Sequence, residues 1–74
     1  MGASVKELTR RQCEVMDCVC LGFTQVETSH MLHISRKTVV THLGTIRRRL
    51  NASTTAQAAA IYAVKTYGRA VNAY

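Results

Sequence analysis

Lys37, Val40, Thr41, Gly44, Thr45 and Arg48 follow one another at steps of three, one, three, one and three, so on an α-helix they share one face. Between them, Val39, Leu43, Ile46 and Leu50 recur at steps of four, three and four and predict an apolar stripe on the opposite, inward face. The first face is positive, hydroxyl-bearing and nearly free of bulky apolar groups. That chemistry suits a helix laid into the major groove of DNA.

Other chemistries fit less well. His30, His33 and His42 with Cys13, Cys18 and Cys20 raise the question of a metal. Zinc sites favour short ligand pairs joined by a second pair at fixed spacing. His30 and His33 form such a pair only loosely, and the cysteine spacing does not put all three thiols on one helix face, so no metal and no cofactor is expected. His42 is expected to pack beside the apolar stripe with one ring nitrogen hydrogen-bonded. There is no Gly-rich loop, carboxylate pair or nucleophile motif, and an enzyme is not expected. Three cysteines close together in one helix argue against a disulfide framework and for reduced, mostly buried thiols.

The elements that must position this face can be read from their caps. Thr24 and Glu27 have capping-box spacing, which starts a helix near Gln25 that runs through Met31 and Leu32. His33 and Ile34 make the turn, and Ser35 caps the longest helix, Arg36 to Leu50. Upstream, Thr9 with Gln12 predicts another box, with Leu8 at the staple position and Val15, Met16 and Val19 as the apolar stripe, flanked by Cys20. Gly22 ends that first helix, and Phe23, at a second staple position, is expected to pin the second helix to the first. Asn51 takes a left-handed C-terminal position. Thr54 with Gln57 starts a fourth helix that runs through Ala56, Ala58, Ala59, Ala60, Ile61, Ala63 and Val64 to about Tyr67, with Gly68 as its stop. The fold class is therefore all-α, four short helices of roughly 12, 9, 15 and 12 residues around a central helix-turn-helix. Residues 1–7 read as a flexible lead-in, 8–68 as the domain and 69–74 as a tail without strong signal.

Size and charge agree with this outline. A chain of 74 residues is one domain whose core buries only about 60% of its unfolded surface, too little for a catalytic pocket to be comfortable. It lacks proline, and no run approaches the roughly 18 apolar residues of a membrane span. With no signal-peptide pattern either, a cytoplasmic, nucleoid-associated location and no membrane partner are expected. All four acids, Glu7, Glu14, Asp17 and Glu27, precede Thr28, where they outnumber Lys6, Arg10 and Arg11 by one. From Thr28 onward there is no acid, against Arg36, Lys37, Arg47, Arg48, Arg49, Lys65 and Arg69. Such clustering is the electrostatic footprint of a polyanion.

With these residues in place, the pattern resembles the GerE/LuxR-type helix-turn-helix DNA-binding domain of bacterial regulators. Leu8-Thr9, Arg11, Glu14-Val15-Met16 and Gly22 are similar to the family's opening helix. Glu27, Leu32, Ile34-Ser35, Lys37-Thr38-Val39, His42-Leu43, Ile46 and Arg48 to Leu50 are similar to its helix-turn-helix, and Ala58-Ala59 to the start of its closing helix. The resemblance covers Leu8 to about Tyr67. It implies sequence-selective binding of double-stranded DNA to regulate transcription, usually as a dimer through the fourth helix. Lys37, Thr38 and Arg48 would then contact phosphates, and Thr24 and Gln25 would hold a flanking phosphate at a helix start. Val40, Thr41, Gly44 and Thr45 would face base edges.

Several residues depart from the family's habit. Val40 and Gly44 stand where polar readers are common, which leaves hydrogen-bond readout to Thr41 and Thr45 and implies modest or A·T-leaning specificity. Gly44 either permits close approach to DNA or reflects drift at an unused position. Thr28 replaces an apolar residue and should weaken the core, and His33 replaces a glycine and should adopt a left-handed conformation. The family usually carries a receiver or ligand-binding domain, so a free-standing regulator like GerE is expected here, with an excised fragment as the alternative. The fourth helix either forms a homodimer seam through Ala59, Ala60, Tyr62, Ala63 and Tyr67 or completes the core. The resemblance adds a larger LuxR-type regulator and RNA polymerase as partners. A rival reading is an anti-activator that pairs through the fourth helix with a full-length relative and removes it from DNA. A nucleoid protein of little sequence preference is a third.

Overall fold

In the computed structural model, residues 7–68 are described; most of the expected lead-in and the whole tail lie outside them. The chain forms α1 (Arg10–Cys20), α2 (Gln25–Leu32), α3 (Arg36–Arg49) and α4 (Thr55–Tyr67), with no strand among the described residues.

Side-chain oxygens start all four helices. Thr9 Oγ1 accepts from Gln12 N at 3.1 Å while Gln12 Oε1 accepts from Thr9 N at 3.0 Å. Thr24 and Glu27 make the same reciprocal pair at 3.1 and 2.8 Å, and Ser35 Oγ accepts from Thr38 N at 3.0 Å. Each such cap contributes about 1 kcal/mol. At α4 the box is incomplete: Thr54 Oγ1 accepts from Gln57 N, but Gln57 Oε1 takes the N–H of Ser53, one residue before the cap.

The first three helices end alike. Phe23 N donates to Cys18 O and Gly22 N to Val19 O; Ile34 N donates to Ser29 O and His33 N to His30 O; Ala52 N donates to Arg47 O and Asn51 N to Arg48 O. These are paired Schellman bonds around one left-handed residue, Gly22 (φ 93), His33 (φ 58) and Asn51 (φ 56). Phe23 is held by this backbone bond rather than by a staple, for its ring is half-buried and lies outside the core cluster.

Val15 and Met16 from α1, Val39, Leu43 and Ile46 from α3, and Ala58 and Tyr62 from α4 meet in one core, closed by Leu8 and Leu50. Burying each aliphatic side chain contributes about 1.5–3 kcal/mol. The predicted α3 stripe is thus the spine of the fold. α2 joins through smaller polar residues: Thr28 and Ser29 are its buried pair, Ser29 Oγ bonding back to Val26 O at 2.7 Å. The Thr28 side chain is fully buried and its hydroxyl makes no hydrogen bond of normal geometry. Cys18 rather than Val19 completes the buried face of α1, while Cys13 and Cys20 are half-buried. All three thiols are free, and burial, followed by the Asp17 charge, pushes them toward the neutral form.

Candidate nucleic-acid interface

With Val39, Leu43 and Ile46 turned into the core, α3 presents its other face to solvent. Lys37, Val40, Thr41 and Arg48 are exposed, and Gly44 and Thr45 are half-exposed between them. Thr38 is half-buried, and its hydroxyl shares a hydrogen bond with Ser35 Oγ at 2.9 Å, so it serves the helix start first. Val40 places an apolar surface on this face, 46% exposed.

The arginine triplet divides as its helical arc requires. Arg49 Nη1 donates to Glu7 O at 2.6 Å and ties the start of the described chain to the end of α3. Arg47 is half-buried. Arg48 is exposed, and its side chain folds back along the helix so that Nη2 donates to Thr45 Oγ1 at 3.3 Å. All three charges sit at the negative end of the helix dipole, which favours them there.

Thr24 and Gln25 open α2 and are exposed. The capping box consumes the N–H groups of Thr24 and Glu27, which leaves those of Gln25 and Val26 at the first turn for an outside anion. Glu27 keeps a negative charge in that turn, in competition with such an anion. Gln25 Oε1 accepts from Arg36 Nε at 3.3 Å. Arg36 therefore joins the start of α2 to the start of α3, a role that the sequence does not assign. Its only signal there is its place directly after the Ser35 cap.

His42 is half-buried beside the stripe as expected, but its ring makes no hydrogen bond among the described residues. Among those residues, no three His, Cys, Asp or Glu side chains gather to hold a metal ion.

The chain matches the GerE model, described as bacterial regulatory proteins of the luxR family, over residues 6–62. The chain belongs to the luxR family. That family's members are DNA-binding transcription regulators, and the matched segment takes in α1, α2, α3 and the first part of α4. No curated protein and no solved structure matches the chain. No described helix of this luxR-family chain is long and apolar enough to cross a membrane.

The residues expected to form a dimer seam do not all lie on the outer face of α4. Tyr62 is only 2% exposed. Its hydroxyl donates to Asp17 Oδ1 at 2.7 Å and is 3.3 Å from Cys13 O, so it fastens α4 to α1 and offers nothing to a second copy. The α-helical period that brings Ala58 and Tyr62 inward also carries Ala59 to the core's edge, where its carbonyl accepts a weak bond from Cys20 Sγ. Ala60, Val64 and Tyr67 face out, with Ala63 half-exposed beside them.

Proposed function

We propose that this chain regulates transcription by binding double-stranded DNA as a homodimer, with α3 of each copy in a major groove and the two helices about one helical turn apart on a short palindromic site. The observation that carries the reading is the division of α3: its apolar stripe is wholly consumed by the core, and the face left over is cationic and hydroxyl-bearing with no acid on it. Thr41 and Thr45 would meet base edges, with Val40 against thymine methyl groups. Lys37 would hold a phosphate, and Thr24 and Gln25 a second one at the start of α2, with Thr38 supporting the first. The homodimer would form through Ala60, Ala63, Val64 and Tyr67. RNA polymerase and a larger LuxR-type regulator are the protein partners this reading allows, in the cytoplasm at the nucleoid.

The exposed apolar Val40 favours one rival. In that reading the base-reading face has lost its polar groups, and the chain pairs through α4 with a full-length relative and blocks its DNA binding. Selection of bound duplexes from a random library, with Lys37→Ala and Thr41→Ala run in parallel, separates the two. A palindromic motif that blurs in Thr41→Ala and weakens uniformly in Lys37→Ala supports the regulator. Generic binding that collapses with salt and yields no motif turns the search to a protein partner.

A further inference from the structure

Side chains on an α-helix lean toward its N-terminus, so a long side chain at position 48 lies over positions 44 and 45 rather than over the helix end. In this chain position 44 has no side chain. Arg48 Nη1 lies 3.9 Å from where a β-carbon of Gly44 would stand, and apart from the adjoining residues and the helix's own backbone no other atom comes within 4 Å of that point. Nη2 is tethered to Thr45 Oγ1 at 3.3 Å. The guanidinium is thus seated one turn back from the end of α3, on the same outward stripe as Thr41. It has no carboxylate partner among the described residues, where the ion pairs are those of Arg10 and Arg11 with Glu14.

We infer that Arg48, seated over Gly44 and held by Thr45, reads a base, taking a guanine through its O6 and N7 acceptors. This rests on the reading of α3 as the major-groove helix. A guanidinium carries five donors in a planar fork, and one bond to Thr45 leaves enough of them for a bidentate contact. Because Thr45 accepts from Arg48, its own O–H is free to donate to an adjacent base. Phosphates flank the groove and bases form its floor, so a guanidinium drawn in along the helix face meets the floor, whereas an extended one would meet the flank. Gly44 then has a purpose: the polar reader missing at this position is supplied by Arg48, and the absent side chain is its seat.

The test measures equilibrium binding of the full chain to its selected duplex and to single base-pair changes of it, for the unaltered chain, Arg48→Ala, Gly44→Ala and Gly44→Gln, with helicity checked by circular dichroism. Expected is a preference of about tenfold for one G·C pair per half-site that disappears in Arg48→Ala while preferences elsewhere persist. Gly44→Ala keeps the preference, because its β-carbon makes only an ordinary contact with Arg48. Gly44→Gln fills the seat and loses or moves the preference with every charge intact. If Arg48→Ala instead weakens all duplexes by one factor and lowers the salt slope by about one, Arg48 is a phosphate contact and the inference falls while the DNA-binding reading stands. The inference falls likewise, with that reading intact, if Gly44→Gln leaves the preference unchanged. If the unaltered chain binds no duplex, both fall together.

Discussion

Tyr62 Oη donates to Asp17 Oδ1 at 2.7 Å, and the same oxygen receives a bond from Tyr67 Oη at 2.8 Å, from further along α4. The two rings meet edge to face, 6.3 Å between centroids. One carboxylate on α1 thus fastens the second half of α4 at two points. Burial, then the bond to Asp17, pushes the Tyr62 phenol well up, and the bond to Asp17, then burial, pushes Tyr67 up to about 12.

A phenol whose pKa is higher in the fold than in the unfolded chain contributes stability that is intact below its unfolded value and is lost as pH rises through the folded one. The urea midpoint should therefore hold up to about pH 10 and then fall toward pH 12. In Asp17→Ala, Tyr67 should titrate nearer its ordinary range by tyrosinate absorbance, and the alkaline loss should shrink. An unchanged Tyr67 titration in that variant would rule out the clamp as its cause.

Thr28→Val should stabilise the protein by about 1 kcal/mol, since it removes a buried hydroxyl that has no proper partner at nearly constant shape. Reversible chemical unfolding of the two chains measures this directly. A lower midpoint for the valine chain would mean that the hydroxyl and the neighbouring Cys18 thiol support each other more than their geometry indicates.

Arg11 Nη2 donates to Leu32 O at 2.9 Å while Nη1 holds Glu14 at 2.8 Å. The carbonyl belongs to the last residue of α2, so Arg11 closes that helix from α1. Arg11→Ala should cost about 1 kcal/mol and speed amide exchange near Ile34. Glu14→Ala should cost less, because the ion pair is solvent-exposed. Equal losses in the two variants would assign the effect to the ion pair instead.

His33→Gly should raise stability by up to about 1 kcal/mol, since a left-handed backbone costs a β-carbon-bearing residue more than it costs glycine, less the greater freedom of an unfolded glycine. The comparison that decides is Asn51→Gly, where the smaller polar side chain already tolerates that region and the gain should be less.

What the sequence made legible was local. The caps at Thr9, Thr24, Ser35 and Thr54, the left-handed turns at His33 and Asn51, and the buried α3 stripe all follow from residues a few positions apart. What it hid depends on distance. Nothing in an alanine-rich helix says that Tyr62 points at Asp17, forty-five positions away, so its position alone suggests a seam residue. Arg36 meeting Gln25 required the angle between two helices. The seat of Arg48 required knowing that its side chain runs backward over a glycine, whereas the family resemblance implied only a phosphate contact.

The ends of α1, α2 and α3 are fixed by bonds that span only a few residues, and this sets an order in time. Short-range contacts form without closing large loops, the slow and entropically costly part of assembly. Refolding is therefore expected within microseconds to milliseconds, as for other helical folds rich in local contacts. The last event should be α4 closing over α1, a step that must bring together residues from opposite ends of the domain. A nascent chain would in that case carry a formed α3 before its core is sealed.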